Sequence, residues 1–80
     1  MKAWILPIHN KSNPLDVKYI ISQTKEIIEI QFRKHCLEFT PICEATRLAL
    51  DKCKWDKLIE AEDGYIIINE EDCKDAKRVG

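Results

Sequence analysis

Eighty residues carry 45% hydrophobic and 34% charged side chains, with a formal net charge of −1. That length holds one hydrophobic core and no second domain, and the apolar fraction excludes a disordered chain. Near-neutrality excludes a global pull toward nucleic acid or an anionic membrane, and no apolar stretch approaches transmembrane length. Charge is weakly uneven: residues 1–38 hold six Lys/Arg against four Asp/Glu, and residues 39–80 hold seven against ten.

In chain order, residues 2–8 predict a buried N-terminal strand, with Pro7 placing it at a sheet edge or ending its pairing there. The apolar run within it stops at Pro7, too short for the core of an export signal. The expected location is therefore the cytoplasm, with the four cysteines as reduced thiols. Asn13-Pro14-Leu15-Asp16 carries a helix start: an N-cap, a proline at the first helical position and an acid in the first turn. Val17, Ile20, Ile21, Thr24, Ile27 and Ile28 then fall on one helical stripe. Ile28, Ile30 and Phe32, however, alternate with Glu29, Gln31 and Arg33 as a strand would. Two readings stay open, one helix over 14–34 or a short helix followed by a strand over 26–34, and the alternation favours the strand.

Thr40-Pro41 opens a second helix, capped by Thr40, that buries Ile42, Ala45, Leu48 and Ala49 and runs toward Cys53. Residues 58–69 predict a β-hairpin around Asp63-Gly64, with both turn residues at positive φ. Its register places Ile59, Ala61, Ile66 and Ile68 on a core face and Glu60, Glu62, Tyr65 and Ile67 on the other. Asn69 caps a short final helix with Glu70, Glu71 and Asp72 at its start and Lys77 and Arg78 at its end, an order that complements the helix dipole. The expected fold is a single α+β domain over residues 1–80. It comprises an N-terminal strand, helices and a C-terminal helix, β-hairpin and short-helix unit.

Chemistry finds little purchase. Cys36, Cys43, Cys53 and Cys73 form no C-x₂₋₄-C pair, so no knuckle presents two thiolates to zinc; Cys43, Cys53 and Cys73 fit small core positions instead. Neither His9 nor His35 is placed to activate a cysteine, and the carboxylates gather at a turn and a helix start, where solvation explains them. With glycine only at 64 and 80, a phosphate-cradling loop is excluded. No catalysis, cofactor, metal or small-molecule substrate is expected.

Phe39-Thr40-Pro41, Glu44-Ala45, Arg47-Leu48, Leu58-Ile59-Glu60, Gly64-Tyr65-Ile66-Ile67 and Glu71-Asp72 together resemble winged helix-turn-helix domains of phage excisionases and small transcriptional regulators. The likeness covers residues 39–78, about half the chain, and rests on common residue types. It admits two registers. In one, helices at 41–49 and 52–60 flank a turn at Ala49-Leu50-Asp51. In the other, a recognition helix at 41–54 precedes a wing at 58–69, and the Asp-Gly turn favours this one. The resemblance implies duplex binding by Arg47, Lys52, Lys54 and Lys57. Electrostatics argues the other way. The outward helix positions Glu44, Arg47, Asp51 and Lys54 are a neutral ladder, and Glu60, Glu62 and Asp63 would meet phosphates at the wing tip. A KH-type RNA module lacks its Gly-x-x-Gly loop.

The expected function is a small non-enzymatic interaction protein that binds a macromolecular partner, a protein before a nucleic acid. Its contact patch is Tyr65 and Ile67 rimmed by Glu60 and Glu62, with Trp55 beside it on the adjacent helix. Accessory or inhibitor proteins of phages and mobile elements share this size and style. The alternative is a winged-helix DNA-binding regulator.

Overall fold

A five-stranded antiparallel sheet separates two helices in the computed structural model, which describes residues 1–73. The elements are β1 (Lys2–Asn10), β2 (Val17–Ser22), α1 (Lys25–His35), β3 (Phe39–Pro41), β4 (Thr46–Ala49), α2 (Lys52–Glu60), β5 (Tyr65–Asn69) and a short 3₁₀ turn over Glu70–Cys73. β1 and β2 form a hairpin, β5 lies outside β2, and β3 and β4 lie end to end along the far side of β1. The expectations for the Cys73 side chain and for Lys77 and Arg78 fall outside the described residues.

Alternation along the central strands divides the apolar residues between the two faces. Leu6, Ile8 and Ile20 point to one side, where Ile28 of α1 and Phe39 complete a buried cluster flanked by Trp4, Phe32, Ala45 and Tyr65. Ala3, Ile5, Tyr19 and Ile21 point to the other, where they meet Leu48, Leu50 and Leu58 of α2, with Trp55, Ile66 and Ile68 alongside. Covering both faces explains why β1 and β2 read as nearly continuous apolar runs. On α1, Gln31 is drawn into the interface with the sheet, and its Oε1 has no hydrogen-bond partner among the described residues.

Several expectations are corrected. Residues 13–16 form a turn rather than a helix start. The Asn13 side chain accepts from the Leu15 N–H (3.2 Å), its carbonyl accepts from Asp16 N–H (2.9 Å), and the chain enters β2. Residues 25–35 are helical and 17–22 extended, the reverse of the favoured helix-then-strand reading; the single helix over 14–34 holds for 25–34 and fails over 17–22. The chain over 41–49 holds the end of β3, a turn and β4, so neither a 41–49 nor a 41–54 helix forms; 52–60, the second helix of the first register, is α2. Its N-cap is Asp51, whose carboxylate accepts from Lys54 N–H at 2.9 Å. Residues 58–60 therefore end a helix, and Asp63-Gly64 turns a helix into a strand instead of joining two strands. Cys43 and Cys53 are exposed thiols rather than core residues, as is Cys36.

Pro7 lies in a central strand, contrary to the edge expected for it, and the register shows why this is tolerated. The Ile42 N–H donates to the Pro7 carbonyl (2.9 Å), so the Pro7 nitrogen faces the same side, at the break between β3 and β4. The missing donor costs the single bond that a Pro7 N–H would have made to the Ile42 carbonyl, at the point where β3 ends and the pairing is already interrupted.

Candidate functional site

β5 is the outermost strand, and among the described residues it pairs only with β2, in the register Tyr19↔Ile68 and Ile21↔Ile66. The direction of its polar groups follows from the hairpin. Asn10 N–H donates to the Asp16 carbonyl (3.0 Å), which makes Asn10 and Asp16 a hydrogen-bonded pair and, by alternation, Pro7 and Tyr19 a non-bonded one. Tyr19 and Ile21 thus turn their N–H and C=O groups toward β5, where Ile68 and Ile66 meet them. Tyr65, Ile67 and Asn69 direct theirs outward, away from the sheet. The strand between Gly64 and Glu70 reads Tyr-Ile-Ile-Ile-Asn, with no charge and no proline.

The opposite edge differs. It consists of a three-residue and a four-residue strand separated by residues 42–45. Pro41 and Arg47 stand at its outward-facing positions, since the bonded pairs fall on Thr40, Ile42, Leu48 and Leu50. Short strands, a proline and a charge are the usual ways of closing an edge to pairing. β5 carries none of them.

A buried hydroxyl holds β5 in place. Ser22, fully buried at the end of β2, donates to the Gly64 carbonyl (2.8 Å) and accepts from the Thr24 N–H at the start of α1 (3.3 Å). Gly64 itself sits at φ +75°, and a Cβ there would lie 3.1 Å from Ile27 Cδ1. Asp63 does not share the positive φ expected of it. Gly64→Ala is expected to cost about 1–2 kcal/mol, from the left-handed backbone and the contact with Ile27, visible as a lower urea midpoint.

The sequence-selected residues distribute around this strand unevenly. Tyr65 and Ile67 share the α1 side, where Tyr65 packs half-buried against the core. Ile67, opposite the fully buried Ile20 but one strand further out, is 38% exposed. Glu60 ends α2 and Glu62 lies in the turn before β5, both exposed. Trp55 is on the opposite face, half-buried against the α2-side core, and is separated from Tyr65 by the sheet. Ile59, expected in the core, is 55% exposed on α2.

Arg47 and the three α2 lysines do not form one surface. The Arg47 guanidinium lies over the Trp4 ring at 5.7 Å, with the Lys25 ammonium 5.4 Å from the same ring. Lys52, Lys54 and Lys57 are on α2, across the sheet; Lys52 pairs with Asp56 (3.2 Å) and Lys54 with Asp51 (3.9 Å). Lys54 and Lys57 instead border a groove of about 260 Å³ between α2 and β5, lined also by Asp51, Cys53, Ile66 and Ile68. Sequence reasoning missed this groove because it depends on α2 being a helix that lies alongside β5.

Among the described residues, no three His, Cys, Asp or Glu side chains converge as metal ligands, and no helix is long and apolar enough to cross a membrane. No protein-family model, curated protein or solved structure matches the chain.

Proposed function

We propose that this protein is a small non-catalytic binding module that takes an extended segment of a protein partner onto the outer edge of β5. The carrying observation is that edge: five regular, uncharged, proline-free residues whose Tyr65, Ile67 and Asn69 backbone groups point outward, in a sheet whose other edge is broken. Adding a strand there satisfies those groups with main-chain hydrogen bonds, the mode by which sheet edges capture peptides. Ile67 provides the exposed apolar contact on one face, and the groove floored by Ile66 and Ile68 receives side chains on the other. Glu60 and Glu62 become the rim at the entry end of the strand, and Trp55 supports α2 from within.

Duplex binding finds less support. Counterion release needs several cations on one surface, whereas Arg47 lies across the sheet from Lys52, Lys54 and Lys57, and two of those three lysines are paired with aspartates.

The test is affinity capture from nuclease-treated extract of the source cells, using the wild type and Ile67→Pro. A protein retained by the wild type and lost from the variant is expected, together with slowed hydrogen exchange at the Tyr65, Ile67 and Asn69 amides in the complex. Undiminished capture by Ile67→Pro sinks the reading. Duplex binding at low salt that is lost in Lys54→Glu with Lys57→Glu would replace it with the DNA-binding one.

A further inference from the structure

The β5 edge is uncharged along its length and acidic at both ends. Before it stand Glu60, Glu62 and Asp63, all exposed. After it, Glu70 and Glu71 line a hollow of about 310 Å³ together with Asp16, Leu15, Val17 and Asn69. Among the described residues, Glu60, Glu62, Asp63 and Glu71 form no ion pair. The one lysine opposite the strand, Lys18 across from Asn69, turns its ammonium to the Phe39 ring 5.3 Å away, on the other side of the sheet from β5.

These ends select what can pair with the strand. A second copy of the chain in the antiparallel register that overlaps all five residues would set Ile67 against its own equivalent and Tyr65 against Asn69. That overlap brings the turn carrying Glu62 and Asp63 of each copy to the end of the other copy's strand that carries Glu71, so acidic groups gather at both ends of the pair. Like charges brought together at low salt repel, and symmetry imposes the conflict twice. A foreign segment with Lys or Arg at both ends of an apolar or β-branched stretch turns the same two clusters into attractions.

We infer that the β5 edge is a docking site for an extended, basic-flanked segment of another protein, and that its acidic ends exclude self-pairing. This rests on the edge reading above and adds the chemistry of the partner.

Two synthetic peptides separate the two levels: Lys-Lys-Val-Thr-Val-Thr-Val-Lys-Lys and Glu-Glu-Val-Thr-Val-Thr-Val-Glu-Glu, titrated against the full chain by calorimetry. At low salt the lysine-flanked peptide is expected to bind at least tenfold more tightly. The difference should shrink in 1 M salt, where the Debye length falls to about 3 Å. Ile67→Pro should abolish its binding, and Glu62→Lys with Asp63→Lys should remove the preference without changing the fold. Equal affinities for both peptides, each lost in Ile67→Pro, would overturn the basic-flank preference and leave strand docking standing. Binding of neither peptide would also overturn it, and the capture experiment would then decide separately whether the edge binds protein at all. A concentration-dependent dimer that disappears in Ile67→Pro would overturn the exclusion of self-pairing.

Discussion

Leu58→Ala is expected to lower stability by about 2–5 kcal/mol, the range for truncating a large buried aliphatic side chain, read from the urea midpoint and the accompanying change in Trp55 fluorescence. Leu58 is only 1% exposed and is the buried residue by which α2 joins the core. A nine-residue helix has little stability of its own, so its order depends on this anchor and on Trp55 beside it. A domain of this length commands roughly 4–12 kcal/mol in all, at about 0.05–0.15 kcal/mol per residue, so the loss is a large share of the total. The control is Ile59→Ala. Ile59 is 55% exposed on the outer side of the same helix, and its truncation should cost within about 0.5 kcal/mol. A hairpin over 58–69 would instead bury Ile59, making its truncation costly; the two variants together decide between helix and strand at these residues.

A pair of prolines one residue apart gives the second large contrast. Ile66 turns its N–H toward β2, opposite Ile21, while Ile67 turns its N–H outward. Ile66→Pro should cost roughly 3–5 kcal/mol: about 1–3 for the ladder bond lost with its β2 acceptor left unpaired, and the rest from the half-buried isoleucine side chain. Ile67→Pro removes no ladder bond and should fall within about 1 kcal/mol of the wild type. Denaturation of both variants, with equal urea slopes, checks the register of β5. If the two costs were reversed, the outward direction of Ile67 would be wrong, and with it the proposed docking edge.

The side-chain alternation of β5 was legible in the sequence, because Tyr65 and Ile67 stand two apart in a short β-branched run, and they do share a face. The partner strand was not. Asp63-Gly64 marks a chain reversal, and Gly64 does take positive φ, yet nothing local distinguishes a helix-to-strand turn from a strand-to-strand one.

The exchange of helix and strand over 17–35 has a specific cause. Val17, Ile20 and Ile21 are spaced like a helical stripe, but a strand covered on both faces also shows adjacent apolar residues such as Ile20-Ile21, both fully buried. Ile30 supplied the alternation that suggested a strand, and it is one of the α1 side chains that faces solvent; the helix is seated by Ile28, Gln31 and Phe32, spaced three and four apart. Thr40-Pro41 satisfies the chemistry of a helix start equally well as that of an edge strand whose proline nitrogen points outward. That β5 is an edge at all depends on strand order, which is settled by long-range pairing and carries no local signature.

The break between β3 and β4 bears on stoichiometry. A sheet that accepts strands on both sides can pass pairing from one molecule to the next, and repeated addition then builds a filament. Here one side ends in two short pieces interrupted at residues 42–45, with Pro41 lacking the outward donor. A strand bound at β5 therefore has no second site to hand on to. On the proposed reading, assembly through this edge stops at one partner for each molecule, and dilution should return the components without passing through larger species.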